Sequence, residues 1–410
     1  MTRLERYRAL LARIEPTDPK DFAGNADIYV PPPNGVSKQL ATALALQPAS
    51  SHLVVGAIGS GKTTTLRRAV DGLKDQVKEA GDHVVYVDVS AEHRLDEEPL
   101  GGVLLALAGI ALRGAVKRKP GPLSASLTAA YATIERHAHD YIEWVDRLDL
   151  GPDWDDEEED ERDYDVEVDD SVPVRHPGAL KPPPSKSTRF AELAGALRTL
   201  REALGAHVTL FFDSLDRLEN SARFAEAVTH DLPALASAGI GVAVVGPYRF
   251  ALSKDRAIAD LFDEIHVVQT ANGLTPEGRG FLSSVLRGRA PVEMFPDDAV
   301  DLAAWGSGGV LRDLLSIATR AARHAYDLGH PHVTAEDVGV ALRAVGGAKA
   351  VGLDDASLSL LARVSEGHPF NLDDKRLPLV ERGQVVQTGV GEWTVHPALQ
   401  AFMKSRSRAA

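Results

Sequence analysis

The chain has 410 residues, 44% of them hydrophobic and 25% charged, enough apolar material for two or three domains with real cores. It contains no cysteine, so disulfide scaffolds, thiolate zinc sites, iron–sulfur clusters and cysteine nucleophiles are excluded. The formal charge is −14, but thirteen carboxylates and a single Arg fall between Asp153 and Asp170, so the rest of the chain is nearly neutral and exerts no global pull on nucleic acid. The longest apolar run, Val103 to Leu112, is shorter than the roughly 20 residues a bilayer requires. Arg3, Arg6 and Arg8 interrupt the first ten residues, and the expectation is a cytoplasmic protein with no membrane partner.

Helical spacing of Leu4, Tyr7, Leu11 and Ile14 predicts a first helix that ends before Glu15-Pro16. A Pro- and Asp-rich stretch follows, then a short helix over 37–46. Strands are predicted at His52–Val55, His83–Val89, Val208–Phe212, Gly241–Val245 and Glu264–Gln269. Continuous Val, Ile and Phe runs separated by helices imply an α/β fold, a parallel sheet with helices on both faces. The connection over 113–188 is too long for a simple crossover. Its part over 151–187, acidic and then Pro-rich, is expected to be a disordered insertion. Residues 276–350 read as an all-helical lid. From 351 to 410, two helices and a hairpin around Thr388-Gly389-Val390-Gly391 have the outline of a winged helix.

The decisive motif is Gly56-Ala57-Ile58-Gly59-Ser60-Gly61-Lys62-Thr63, a GxxxxGK[ST] run between the strand SHLVV and the helix TTTLRRAV. Glycines permit a tight turn whose N–H groups face inward on phosphate oxygens, and the helix N-terminus adds its dipole. Gly56, Ile58, Gly59, Ser60, Gly61, Lys62, Thr63 and Thr64 are therefore expected to cradle ATP, with Lys62 on the β- and γ-phosphates and Thr63 on Mg2+. Asp213, at the carboxyl end of a buried strand expected beside the loop, is the expected second metal ligand. Asp216 is the candidate base for the attacking water, with a structural carboxylate as an equal alternative. Arg249, after the fourth strand, can sense the γ-phosphate or simply pair with an acid. Arg256 is weighed as a reach toward a neighbouring subunit's nucleotide against a solvated helix charge. Arg312 opens a helix after Gly308-Gly309 and is expected to face the nucleotide. No HExxH or comparable spacing occurs, so His137, His139 and His396 read as core or solvated side chains.

The succession of P-loop, HVVYVDV, FFDSLDRLE, GVAVVGPYR, EIHVVQTANGLTPEG, GGVLRDLL and a winged helix resembles the AAA+ and STAND group of P-loop ATPases. It is most similar to origin-recognition-type initiators, whose lids end in a segment like His332-Val333-Thr334-Ala335-Glu336-Asp337-Val338. The resemblance implies Lys62 and Thr63 as the Walker A pair, Asp213 as the Walker B ligand, Arg249 near sensor 1 and Arg312 at sensor 2. It also implies that Ile28-Tyr29-Val30, within the segment 1–50, packs on adenine. Ser214 stands where many members carry a catalytic Glu, which points to slow hydrolysis.

Two functions fit. The first is an ATP-dependent switch controlling assembly with itself or a protein partner; the second is an initiator or loader that grips double-stranded DNA through the winged helix. From Gly352 to Ala410 seven basic residues meet seven acidic ones, a balance that favours the first.

Overall fold

The protein is described as a computed structural model over residues 1–14, 28–33, 35–92, 101–118, 124–138, 186–218, 221–252, 256–389 and 391–409. Five parallel strands, β1 (Ser51–Val55), β2 (His83–Asp88), β3 (Val208–Asp213), β4 (Ile240–Val245) and β5 (Glu264–Val267), form one sheet in the order β2-β3-β4-β1-β5. Every residue of β3 and β4 is buried, the polar Thr209 and Asp213 of β3 included, as mainly apolar strands are when helices cover both faces. The order places β4 between β1 and β3. Asp213 therefore lies one strand further from the loop than expected, because the β1-to-β2 crossover skips two positions that β3 and β4 then fill.

On one face, α2 (Val36–Leu46) and α3 (Lys62–Val77) bury Leu40, Leu44, Leu66 and Leu73 against Val54, Phe211 and Ala243. The other face is covered by α4 (Val103–Lys117), α5 (Ala125–Ala138), α6 (Lys186–Leu204), α7 (Ser221–Thr229) and α8 (Asp231–Ser237). The apolar run that opens α4 is thus a core helix, and no helix among the described residues is long and apolar enough to cross a membrane. The acidic stretch expected over 151–187 lies outside the described residues, apart from the backbone of Lys186 and Ser187, which opens α6.

A second core belongs to α9 (Pro276–Arg287), α10 (Asp297–Gly306), α11 (Leu311–Asp327) and α12 (Ala335–Ala350). The first helix, α1 (Arg3–Ile14), joins this core through Tyr7, Leu10 and Ile14, with the Tyr7 hydroxyl donating to His330 O at 3.1 Å. The segment 1–50 is therefore divided, α1 packing on the helical subdomain and α2 on α3. The C-terminal part comprises α13 (Asp355–Ser365), α14 (Leu377–Glu381), the antiparallel pair β6 (Val385–Gly389) and β7 (Glu392–Val395), and α15 (Pro397–Ala409), a helix the sequence reading did not foresee. Its Leu361, Val380 and Val385 are continuous with the core that holds Tyr248 and Phe250.

Helix α12 begins with a capping box in which Thr334 and Asp337 satisfy each other's main chain. Asp337 is fully buried and also contacts His324 at 2.7 Å and His330 at 3.0 Å. Burial pushes its carboxyl up, but the hydrogen bonds from Thr334, His324 and His330 outweigh that and hold it at about 2, below its ordinary 3.8. A carboxylate whose folded value is lowered stabilises above its unfolded value and loses that stabilisation as pH falls through the folded one. Asp337→Asn is expected to cost about 2 kcal/mol at pH 7, and urea unfolding should show the gap from wild type shrinking between pH 4 and pH 2.

Candidate functional site

At the carboxyl end of β1 the chain turns through residues 56–61 into α3. Gly59 has φ +80°, and a Cβ there would lie 2.7 Å from Val310 and 2.9 Å from Arg312 of the helical subdomain. Only glycine satisfies both the left-handed backbone and this approach. The N–H groups of Gly59, Gly61, Lys62 and Thr63 have no hydrogen-bond acceptor among the described residues. The Ser60 hydroxyl is buried in the same turn without a partner. Unsatisfied donors at a helix N-terminus form a concave anion site.

Lys62 is only 7% exposed, and its ammonium donates to Gly56 O at 3.0 Å and Ala57 O at 3.1 Å and pairs with Asp216 at 2.8 Å. All three of its donors are satisfied within the loop and by Asp216, which the structure brings to the lysine. Asp213 accepts from the Tyr86 hydroxyl at 2.7 Å, from Ser214 N at 2.7 Å and from the Thr63 side chain. Burial pushes the Asp213 carboxyl up, and the neighbouring Asp216 adds to that. A buried carboxylate with raised affinity for a proton, hydrogen-bonded to Thr63, suits a divalent cation that would take the proton's place.

Ser214, where a catalytic Glu was sought, has φ +74°, the one left-handed non-glycine among the described residues. Its side chain is bonded to Asp88, the β2 residue paired in register with Asp213. Sequence reasoning missed Asp88 and Tyr86, whose roles depend on β2 lying beside β3. A sheet-edge carboxylate after a tyrosine was the available signal.

The loop, Lys62, Thr63, Ser214 and Asp216 line a cleft of about 880 Å3 between the sheet, the helical subdomain and the C-terminal part. Ile58, Thr64 and Arg312 line it. The strap at 28–30 lines it too, fixed by Arg68 stacked 4.0 Å over the Tyr29 ring and by buried Arg289 donating to Ile28 O at 3.1 Å. Gly309 (φ +94°) lets the start of α11 approach the chain after β5, because a Cβ there would lie 1.6 Å from Ala271 O.

Arg249, expected at the γ-phosphate, is held elsewhere. Its Nε and Nη2 donate to the two carboxylate oxygens of Glu381 in α14 at 2.9 and 2.8 Å, the acid-pairing alternative. A planar guanidinium matches a carboxylate in this two-pronged way. The fourth strand's exit thus grips the C-terminal part, whose hairpin covers the cleft. Asn272 donates to Thr388 O at 2.6 Å, and the Tyr248 hydroxyl lies 3.3 Å from Gln387. Asp313, beside Arg312, reaches Lys349 at 2.7 Å and His396 at 3.1 Å. The side chain of Arg256 lies outside the described residues; its backbone forms one turn, Arg256–Ala259. His137 is paired with Glu192 at 3.2 Å.

No protein-family model and no curated relative matches the chain. Among solved structures it is similar to the Aeropyrum pernix ORC1 protein in complex with DNA, at 15% identity over 98% of each chain with a TM-score of 0.45. It is also similar to the Aeropyrum pernix ORC2 protein in its ADPNP–ADP complexes, at 14% identity over 96% of this chain and 99% of that one with a TM-score of 0.45. A Walker-type ATPase of Pyrococcus abyssi matches at 12% identity over 96% of this chain and 99% of that one with a TM-score of 0.49. The strand order and the glycine loop define the fold independently of these likenesses.

Asp213 makes a direct prediction. A raised folded value means the charged form destabilises the native protein, and the penalty is full above that value and vanishes below the unfolded one. Asp213→Asn should therefore raise the melting temperature at pH 7 by about 2–4 °C in the absence of nucleotide and metal, with the difference fading as pH falls toward 3.8.

Proposed function

We propose that this chain is a P-loop ATPase that works as a nucleotide-dependent switch, controlling assembly with itself or with a protein partner. The observation that carries the reading is that one cleft is lined at once by Lys62, by Arg312 and by Gln387, Thr388 and Gly389 of the C-terminal hairpin. A triphosphate in the cradle would compete with Asp216 for Lys62 and bring negative charge to the start of α11. Arg312 would then draw the helical subdomain onto the nucleotide. The adjacent Asp313, through His396 and Lys349, passes any shift of α11 to the C-terminal part.

Thr63 and Asp213 are the residues that would hold magnesium, which when bound neutralises charge on the phosphate oxygens. Asp216, paired with Lys62 and not assigned to magnesium, is the carboxylate that would take a proton from water once Lys62 turns to phosphate. Ser214 is committed to Asp88, so hydrolysis relies on a lone, partly engaged carboxylate and should be slow. Reading the C-terminal part as a winged helix, its hairpin is turned inward on the cleft and its charges balance. Both features support a protein-facing role over a grip on duplex DNA.

Lys62→Ala should weaken ATP binding by at least about 100-fold in calorimetry, and retained affinity would dismiss the cradle. Glu381→Ala should loosen the hairpin, raising the ADP release rate by roughly tenfold in stopped-flow while leaving the secondary structure intact; an unchanged rate would remove the clamp from the switch. Turnover measured with and without duplex DNA, alongside mass by light scattering, separates the two readings. A nucleotide-dependent change in mass without DNA stimulation supports the switch, and stimulation by DNA supports the initiator.

A further inference from the structure

At the opposite end of the same sheet, the register of β1 and β5 pairs His52 with Glu264 and Val54 with His266. With side chains alternating along each strand, His52, Glu264 and His266 share the face that also carries Val54 toward α2 and α3. His52 Nδ1 lies 3.0 Å from His266 Nε2, and the Glu264 carboxylate lies 3.9 Å from the first and 3.6 Å from the second. Ligand atoms about 2.0–2.1 Å from a tetrahedral ion stand roughly 3.3 Å from one another. The three edges bracket that separation.

The hydrogen bonds behind His52 fix its tautomer. The Ser50 hydroxyl donates its single hydrogen to Gln47 O at 2.6 Å, so it must accept from His52 Nε2 at 2.7 Å. The lone pair of His52 Nδ1 therefore faces the gap between the three groups. An imidazole whose remote N–H is held by oxygen is the arrangement that orients metal-bound histidines. Both imidazoles are at most 5% exposed, whereas Glu264 is 55% exposed on an edge strand and leaves an entry path and room for water as a fourth ligand.

We infer that His52, Glu264 and His266 form a binding site for one borderline divalent transition ion, for which Zn2+ is the fitting representative. Two imidazoles and one carboxylate favour such an ion over magnesium or calcium, which prefer all-oxygen shells. In the metal-free protein the Nε2–H of His266 bridges to His52. On binding, the ion takes that position and His266 carries its hydrogen on Nδ1 instead, so no net charge is lost from the ring. The ion would tie β1 to β5, the two strands whose far ends meet at the cleft, where a Cβ on Gly56 would lie 2.6 Å from Val268 O. The site thus braces the cradle from the opposite edge of the sheet, and it stands or falls independently of the nucleotide reading.

The test uses the full chain, stripped with chelator and titrated with Co2+ in excess Mg2+ so that the carboxylates near the P-loop are saturated. Wild type should bind one equivalent with the intense visible d–d bands of a four- or five-coordinate ion, which Zn2+ then displaces. Glu264→Gln, at an exposed position that folding tolerates, should weaken binding by at least about tenfold, and His266→Gln should abolish the bands. Lys62→Ala should bind Co2+ as wild type does, which separates this site from the phosphate cradle. Absence of the bands in wild type, or bands and stoichiometry unchanged in Glu264→Gln, would overturn the assignment.

Discussion

Everything at the candidate site follows from main-chain donors left without acceptors at one turn. The strand β1 must become the helix α3 within six residues, and the first turn of any helix exposes N–H groups that its own carbonyls cannot reach. Here Gly59, Gly61, Lys62 and Thr63 present such groups together, with the buried Ser60 hydroxyl beside them. The Lys62 ammonium, itself a donor, leaves these groups unsatisfied; it folds onto Gly56 O and Ala57 O and takes Asp216 as its counter-ion. The lysine is satisfied but only provisionally, since a triphosphate offers it charged oxygens where Gly56 and Ala57 offer neutral carbonyls.

The second constraint is how closely three bodies approach one another around the cleft. Gly59 and Gly309 allow the helical subdomain to touch the loop and the β5 exit with no side chain between them. The C-terminal hairpin closes the third side through the Arg249–Glu381 pair, which is partly buried at 27% and 18% exposure, and through the contact of Asn272 with Thr388. A pair in that setting is screened less than a surface one and has defined geometry. Asp313 then joins the helical subdomain to the hairpin's flank, so the three bodies share side chains as well as a surface. Movement of any one is therefore felt by the others.

The sheet also spreads buried polar groups unevenly. Its carboxyl edge carries Asp88, Asp213 and the left-handed Ser214, and its amino edge carries the His52–His266 pair. Between them the middle of the sheet is built mainly of buried apolar residues, Leu210, Phe211 and Phe212 of β3 and Val242 to Val245 of β4. The rigid middle isolates the two ends chemically and couples them mechanically, since β1 and β5 run from one to the other.

The sequence by itself determined the strands and the glycine turn that joins the first of them to a helix, because each of these is local. A run of Val and Phe is buried wherever it goes, and GxxxxGK[ST] bends wherever a strand feeds a helix. It also determined that Asp213 would sit at a strand's carboxyl end. Tertiary structure alone decided that β4 lies between β1 and β3, that α1 packs on α11, and that Arg249 spends its charge on Glu381, 132 residues away. It alone brought His52 to His266, 214 residues apart. Periodicity and spacing report what a residue can do within a turn or two of itself. Which distant partner it meets depends on crossover order and on how domains close, and neither leaves a local trace in the chain.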